Sequence, residues 1–501
     1  MPEYARALIY ILGLSIPVFF VAEKIAGPLV DKDEFRRWRN CWIATTFATF
    51  LSSSFLAFVA MILLVSVYIH RCAKQPIFFY IILMFVAPCV SMGLGIPGVF
   101  NSIIELNPPK LLALLILLPI AHHLWMDAKN RQATFLDTCI VSYYVLLSAL
   151  SWRYGLSSVL RGMLGYFTVI LLPYFVFSRG IRSAKDLNRA LLAFAVAAMP
   201  LAAVGAFEMR KGWRLYNQVV QQWEVIVATP YLLRDSMLRA SATAIEPIAF
   251  GFACMAGIGC LMTLRTRLSF SKWTYVGLGI LLVGLMSSLS RGPWLGSAVF
   301  AFVALAAYPK TALKVLVCAM PLVAGAAYAW PARFSRFIDL LPFIGSSDPG
   351  SEAYRSDLLA NALIVIQRYP FFGSLTFLEE PEMQRMIQGQ GIIDVVNSYL
   401  QIALEFGLVG LFLFVIFFLT LGASLFTRAA SPTSHEPSIN YAGLFALLVA
   451  MLFTIVTVSS VSVIPSIYWA FAGICAALPR LRREVIRTPA LEMRVLSGFR
   501  Q

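Results

Sequence analysis

The stretch NSYLQIALEFGLVGLFLFVIFFLTLGASL, Asn397 to Leu425, decides the fold, because it carries Glu405 as its only charged side chain. A helix needs roughly 20 apolar residues to cross hydrocarbon, and inside a bilayer it satisfies its own backbone hydrogen bonds. Working outward, the same signature recurs along the chain, which is 59% hydrophobic, 13% charged and has a mean hydropathy of +0.78. Fourteen segments read as spans, among them 5–22, 41–69, 77–100, 188–207, 311–329 and 395–425. Pro88, Gly93, Gly95 and Pro97 interrupt the third span, so the expectation is an all-α polytopic membrane protein with about 12–14 transmembrane helices. The first segment lacks a basic leader and a small-residue cleavage site, so it is expected to stay as a helix.

Two polar interruptions are long enough to hold a site, and they set the expected organisation. It comprises N-terminal spans (1–207), a first large extracytoplasmic loop (208–246), spans carrying a hairpin (247–330), a second large extracytoplasmic loop (331–394), C-terminal spans (395–478) and a basic tail (479–501). Long loops in a compact protein are commonly functional. In the second, Asp348-Pro-Gly-Ser351 reads as a helix start, and Leu358, Leu359, Ala362, Leu363 and Ile366 recur at helical spacing until Pro370 ends the pattern. An amphipathic helix is therefore expected in this loop. Orientation follows from the positive-inside bias. Arg480, Arg482, Arg483 and Arg487 place the C-terminus in the cytoplasm, and an even number of spans places the N-terminus there as well. The run Lys32, Arg36, Arg37 and Arg39 disagrees with this scheme, because it falls in the first outside loop. The net charge of +15 needs no nucleic acid to explain it. No CxxC pattern suggests a metal site or a disulfide framework among the eight cysteines.

The sharpest short signal is Ser288-Leu-Ser-Arg-Gly-Pro-Trp294, which puts a lone arginine at the tip between two consecutive spans. A charge at that depth is costly unless it meets a partner, which makes it a functional candidate, although a topology anchor reaching headgroup phosphates explains it equally well. The ordered set of Arg239, Ser290-Arg291-Gly292, Tyr354-Arg355, Arg368-Tyr-Pro-Phe-Phe-Gly373, Asn397-Ser-Tyr-Leu400 and Glu405-Phe-Gly-Leu-Val-Gly410 resembles the O-antigen ligase/polymerase superfamily over roughly residues 235 to 425. The resemblance implies a bacterial inner-membrane glycosyltransferase, multi-pass, with the N- and C-termini cytoplasmic. It would act at the periplasmic face on an undecaprenyl-diphosphate-linked oligosaccharide donor and a saccharide acceptor, beside other polysaccharide-assembly proteins. It implies no cofactor and no metal.

Arg239, Arg291 and Arg355 match the family's external arginines and are expected to clamp the departing diphosphate, with Asn397 and Tyr399 as further substrate-binding residues. Arginine suits this role because its planar fork holds two phosphate oxygens and stays charged. The null alternative is surface ion pairing with the loop's acids. The family's ligase members typically carry histidine before the Asn of the NSYL segment, whereas this chain has Val396. His70, His122, His123 and His435 all fall on the expected cytoplasmic side. The expectation is therefore polymerisation of exopolysaccharide or O-antigen units, with Glu246 or Asp394 as base, or the departing phosphate taking the proton. Glu246 could instead pair Arg239, and Asp394 could cap the following helix. Alternatives are a ligase with a different acceptor and a lipid-linked oligosaccharide flippase, which should show two related halves. A metal-dependent oligosaccharyltransferase would use Asp31, Asp33 and Glu34 in the first loop.

Overall fold

The structure, a computed structural model, describes residues 2–96, 100–225, 232–234, 236–268, 271–307, 328, 349–388, 391–430 and 439–481. The expected span 311–329, apart from residue 328, the first part of the second loop, His435 and most of the basic tail lie outside the described residues. Among the described residues eight helices are long and apolar enough to cross a membrane, and four shorter apolar helices accompany them. Among the described residues the only strands are two short hairpins, Met92–Ile96 with Phe100–Leu106 and Leu233–Arg234 with Met237–Leu238. The protein is an all-α polytopic membrane protein.

Ala184–Lys211 is the hub, with 83% of its apolar window buried. It packs against Glu3–Ala26, Pro247–Thr263 and Lys272–Ser287. Small residues bring the backbones together there, since Gly257 faces Ala198 and Gly284 faces Ala202 with no room for another methyl group. Close van der Waals approach of this kind drives helix association where lipid is as apolar as the side chains. Two helices that run toward the site contain a π-helical turn, Ala113–Leu117 and Phe167–Leu171. Each is followed within two residues by a proline, Pro119 or Pro173, whose missing N–H removes a regular i to i−4 bond.

Three expectations are corrected. The segment 41–69 is two helices, Lys32–Leu51 and Phe55–Cys72, because the chain reverses at Ser52–Ser54 and the Ser54 side chain caps the second by accepting from Ala57 N at 3.2 Å. Charged residues crowd the first turns of Lys32–Leu51 and hide it from a hydropathy reading. The segment 77–100 is not a span of uniform helix. Ile77–Leu83 is a short buried helix, and the chain beyond it turns extended into the Met92–Leu106 hairpin, as the glycines and Pro97 dictate.

The third correction concerns the termini. Trp213 Nε1 donates to Glu3 Oε1 at 2.8 Å, Gln218 donates to Glu3 Oε2 at 3.1 Å, and Arg6 lies over the Trp213 ring. The start of the chain therefore sits at the same end of the helical body as the segment after Lys211. Arg480 reaches Asp137 and the Ser178 carbonyl at the other end, so the start of the first helix and the end of the last described helix lie at opposite ends. The extra reversal at Ser52–Ser54 supplies the missing crossing. It also moves Lys32–Arg39 to the Ala184 end, where Arg189 reaches Glu34 at 3.8 Å and Lys74 reaches Asp31 at 3.9 Å. The discordant basic run thereby joins the other basic residues.

Candidate active site

At the Lys211 end, the two glycine-bearing motifs of the C-terminal third lock together. Helix Ser398–Ala430 is broken at Gly407, whose φ of 69° suits glycine. The carbonyl of Leu404 accepts from Ser374 N at 2.8 Å, while Leu408 N and Val409 N donate to the carbonyls of Pro370 and Phe371 at 2.8 and 3.2 Å. A Cβ on Gly407 would sit on the Phe371 backbone, and one on Gly373 would lie 2.5 Å from the Leu404 carbonyl. The expected amphipathic helix is present as Pro349–Arg368. It buries Leu358, Ala362 and Val365 with Phe377, Met383, Met386, Val395 and Leu404, a small second core resting on the half-helix 398–406.

Next to this lock a half-buried arginine cluster forms. Arg239 donates to the Ser290 hydroxyl at 2.9 Å, and Arg234 donates to the Leu289 carbonyl at 2.9 Å, which ties the 234–239 hairpin to the Ser290-Arg291-Gly292 tip. The tip is closed from the other side by Thr457 and Val458, which fill the space above Gly292. Ser459 donates to Asp394 Oδ1 and to the Val395 carbonyl, both at 2.7 Å, and the Tyr354 hydroxyl donates to the Asp394 carbonyl at 3.1 Å. Arg214, Arg234, Glu246 and Asp394 are the charged neighbours of Arg239. Burial, reinforced by the Arg234 charge, pushes the Arg239 guanidinium down to about 10, so it stays charged at neutral pH. Burial also raises the Glu246 carboxyl above its ordinary value, with Asp394 adding to the shift and Arg214 and Arg239 opposing it. The Nε of Arg239 is buried with no hydrogen-bond partner among the described residues. More cations than carboxylates in a poorly hydrated place is an arrangement that an added anion stabilises.

The backbone around the cluster is strained. Ala242, Ile245, Leu289 and Ser462 all have positive φ, at 45°, 65°, 46° and 55°, although none is glycine. Such conformations cost on the order of 1–3 kcal/mol each and persist where neighbours hold them. Glu208, almost fully buried at the end of the hub helix, accepts from Ala242 N at 2.8 Å and Leu215 N at 2.9 Å, and Ser462 donates to the Ala244 carbonyl at 2.6 Å.

The structure thus gathers four of the expected residues, Arg239, Arg291 through its neighbour Ser290, Glu246 and Asp394. It does not bring in Arg355, which is exposed and makes no ion pair or hydrogen bond among the described residues. Asn397 Oδ1 accepts from Tyr399 N and Leu400 N at 2.9 and 3.2 Å, so Asn397 caps the half-helix, the role that was the alternative for Asp394. The Tyr399 hydroxyl donates to the Leu452 carbonyl at 3.2 Å and its ring packs edge-on against Phe414. Sequence reasoning did not single out Arg214, Arg234 and Glu208 as cluster members; the available signal was an acid and basic residues just past the end of a long apolar helix. His70 sits at the far end of Phe55–Cys72, whose start adjoins the Ser52–Trp223 contact near the site. The acids of the first loop also lie at the far end, with Asp31, Asp33 and Glu34 each facing a cation.

Helices of membrane-spanning length surround a half-buried cluster of arginines and carboxylates. Residues 276–415, under a third of the chain, match the family model described as O-antigen ligase. The match includes Arg291, the Gly373–Gly407 lock and Asp394, whereas Arg214, Arg234, Arg239 and Glu246 precede it. No curated protein sequence matches the chain.

Proposed function

We propose that the protein transfers a glycan from an undecaprenyl-diphosphate carrier to a saccharide hydroxyl at the extracytoplasmic face of the bacterial inner membrane, extending an exopolysaccharide or O-antigen. The acceptor oxygen bonds to the anomeric carbon, the anomeric carbon–phosphate oxygen bond breaks, and its electron pair leaves on the diphosphate. The hydroxyl proton passes to Glu246, whose burial makes it a stronger base than an ordinary glutamate, with Asp394 as the alternative acceptor of that proton. Arg239 and Arg291 meet the charge that develops on the leaving diphosphate, supported by Arg214 and Arg234. Asn397 and Tyr399 position the half-helix beneath the site, and Arg355 is left outside the clamp.

The observation that carries this reading is the half-buried Arg239, bound to the Ser290 hydroxyl, flanked by Arg214 and Arg234 as well as by Glu246 and Asp394, and with its Nε lacking a hydrogen-bond partner among the described residues. Ligation to a different acceptor is the second reading, favoured by the family description itself. Deleting the gene in its host and resolving the polysaccharides by gel tests both. Single repeat units without long chains support polymerisation, full-length polymer retained on the carrier supports ligation, and an unchanged polysaccharide profile overturns glycosyl transfer. The side is tested with Ser356→Cys in a cysteine-free variant, which should react with an impermeant maleimide in intact spheroplasts. Labelling only after permeabilisation would place the site in the cytoplasm.

A further inference from the structure

Beside the arginine cluster lies a cavity of about 660 Å³ that the reaction as described so far does not use. Volumes of roughly 300–1,000 Å³ are typical of small-molecule sites. Its floor is the half-helix 398–406, which presents Gln401 and Glu405, and its rim carries Glu105 and Arg161, 3.9 Å apart. Lys110 on the rim donates to the Glu105 carbonyl at 3.0 Å. Glu405 makes no ion pair or hydrogen bond among the described residues, and the phenols of Tyr143 and Tyr166 are the charge-sensitive groups nearest to it.

A carboxylate at this depth without a partner is costly, and a polar ligand relieves the cost. An isoprenoid tail would bury Glu405 against hydrocarbon, and a phosphate would be repelled by it. A neutral polyol fits, because its hydroxyls can donate to Glu405 and both donate to and accept from Gln401 and the serines, while the half-buried Tyr166 offers an aromatic face. The cavity also adjoins the cluster through one stretch of chain. Ser460 and Ser462 line it, Ser462 donates to the Ala244 carbonyl two residues before Glu246, and Ser459, which directly precedes Ser460, donates to Asp394.

We propose that this cavity binds the acceptor saccharide, with Glu405 and Gln401 hydrogen-bonding its hydroxyls and directing one of them toward the arginine cluster. The assignment rests on the glycosyl-transfer reading above and adds to it the place of the second substrate.

The test uses full-length protein in nanodiscs. Undecaprenyl diphosphate is the carrier probe, and transfer from the host's lipid-linked glycan is measured against acceptor concentration. Glu405→Gln removes the charge, while Gly165→Phe fills the cavity from a helix position where an added Cβ meets nothing within 4 Å. Both variants should raise the acceptor KM about 10- to 100-fold, as loss of hydrogen bonds to a charged group does, with undecaprenyl diphosphate affinity unchanged. Gly165→Ala, Gly165→Leu and Gly165→Phe should show an effect that grows with side-chain size, and size-exclusion profiles confirm folding of each. Wild-type acceptor dependence in both Glu405→Gln and Gly165→Phe would overturn the proposal, and loss of carrier affinity in either would give the cavity to the carrier. Wild-type protein that binds undecaprenyl diphosphate no better than Arg239→Ala would instead bring down the glycosyl-transfer reading itself.

Discussion

At the Ala184 end of the helical body, Asp137 accepts from Arg179 at 3.2 Å, from Arg480 at 2.7 Å and from the Tyr174 hydroxyl at 2.9 Å. At the Lys211 end, Arg239 is half-buried, and its hydrogen bond among the described residues goes to the Ser290 hydroxyl. One end is electrostatically complete, with a carboxylate shared by two arginines across three helices. The other holds Arg239 beside strained backbone, with Glu246 and Asp394 as the carboxylates around it and its Nε without a hydrogen-bond partner among the described residues.

Substitutions at the two ends should therefore fail differently. Asp137→Asn would leave Arg179 and Arg480 without their counter-charge, a loss of about 3–5 kcal/mol of stability for a broken buried pair. It should show as a lowered thermal midpoint with turnover per folded molecule intact, and a normal midpoint would show that the pair is not a fastening. Arg239→Lys at the open end should do the reverse. Replacing a two-pronged contact to a departing diphosphate by a point charge typically costs about 2.7–4 kcal/mol, or 100- to 1,000-fold in turnover, and a stably inserted variant with wild-type activity would reduce Arg239 to an anchor.

Glu246→Gln should lower turnover by about 100-fold, the small end of the range for a general base, because a phosphate oxygen of the leaving group offers the proton a second destination. Its pH profile supplies the sign. Burial raises the folded pKa of Glu246, so the base is ionised, and activity complete, only above that raised value. Activity should fall as pH drops through it, at a higher pH than an ordinary glutamate would give. An identical acidic limb in Glu246→Gln would remove it from the proton path. The smallest effect is expected from Val396→His. Its neighbour Asn397 is committed to the helix cap and proton removal is assigned to Glu246 or Asp394, so an imidazole there should bring no gain in rate. A large gain would favour a ligase-type site over a polymerase.

The long spans were legible because length and hydropathy act locally, and the helix Pro349–Arg368 was legible from its periodicity. The helix Lys32–Leu51 was not, since Asp33, Glu34, Arg36, Arg37 and Arg39 mask a segment whose apolar half alone resembles part of the next helix. Missing that one reversal put the first helix the wrong way up. Arg239 and Arg291 were singled out by their place in an ordered motif set and Glu246 and Asp394 as candidate bases in place of a histidine, and the structure places these four near one another. Arg214 and Arg234 were not singled out, because their membership depends on segments distant in sequence closing over the end of the hub helix. Glu405 was quoted within a motif, but only the cavity distinguishes it from a buried helix residue.

The interlock of Gly373 and Gly407 has a consequence for how this fold can be recombined. Residues 369–374 supply the hydrogen-bond partners that the broken helix lacks at 404, 408 and 409, so the connecting segment and the helix are one folding module rather than a loop and a span. A chimera whose junction falls between Tyr369 and Gly410 would separate carbonyls from the amides that complete them. Grafts of the external segment from a relative should succeed only when both glycines and everything between them travel together.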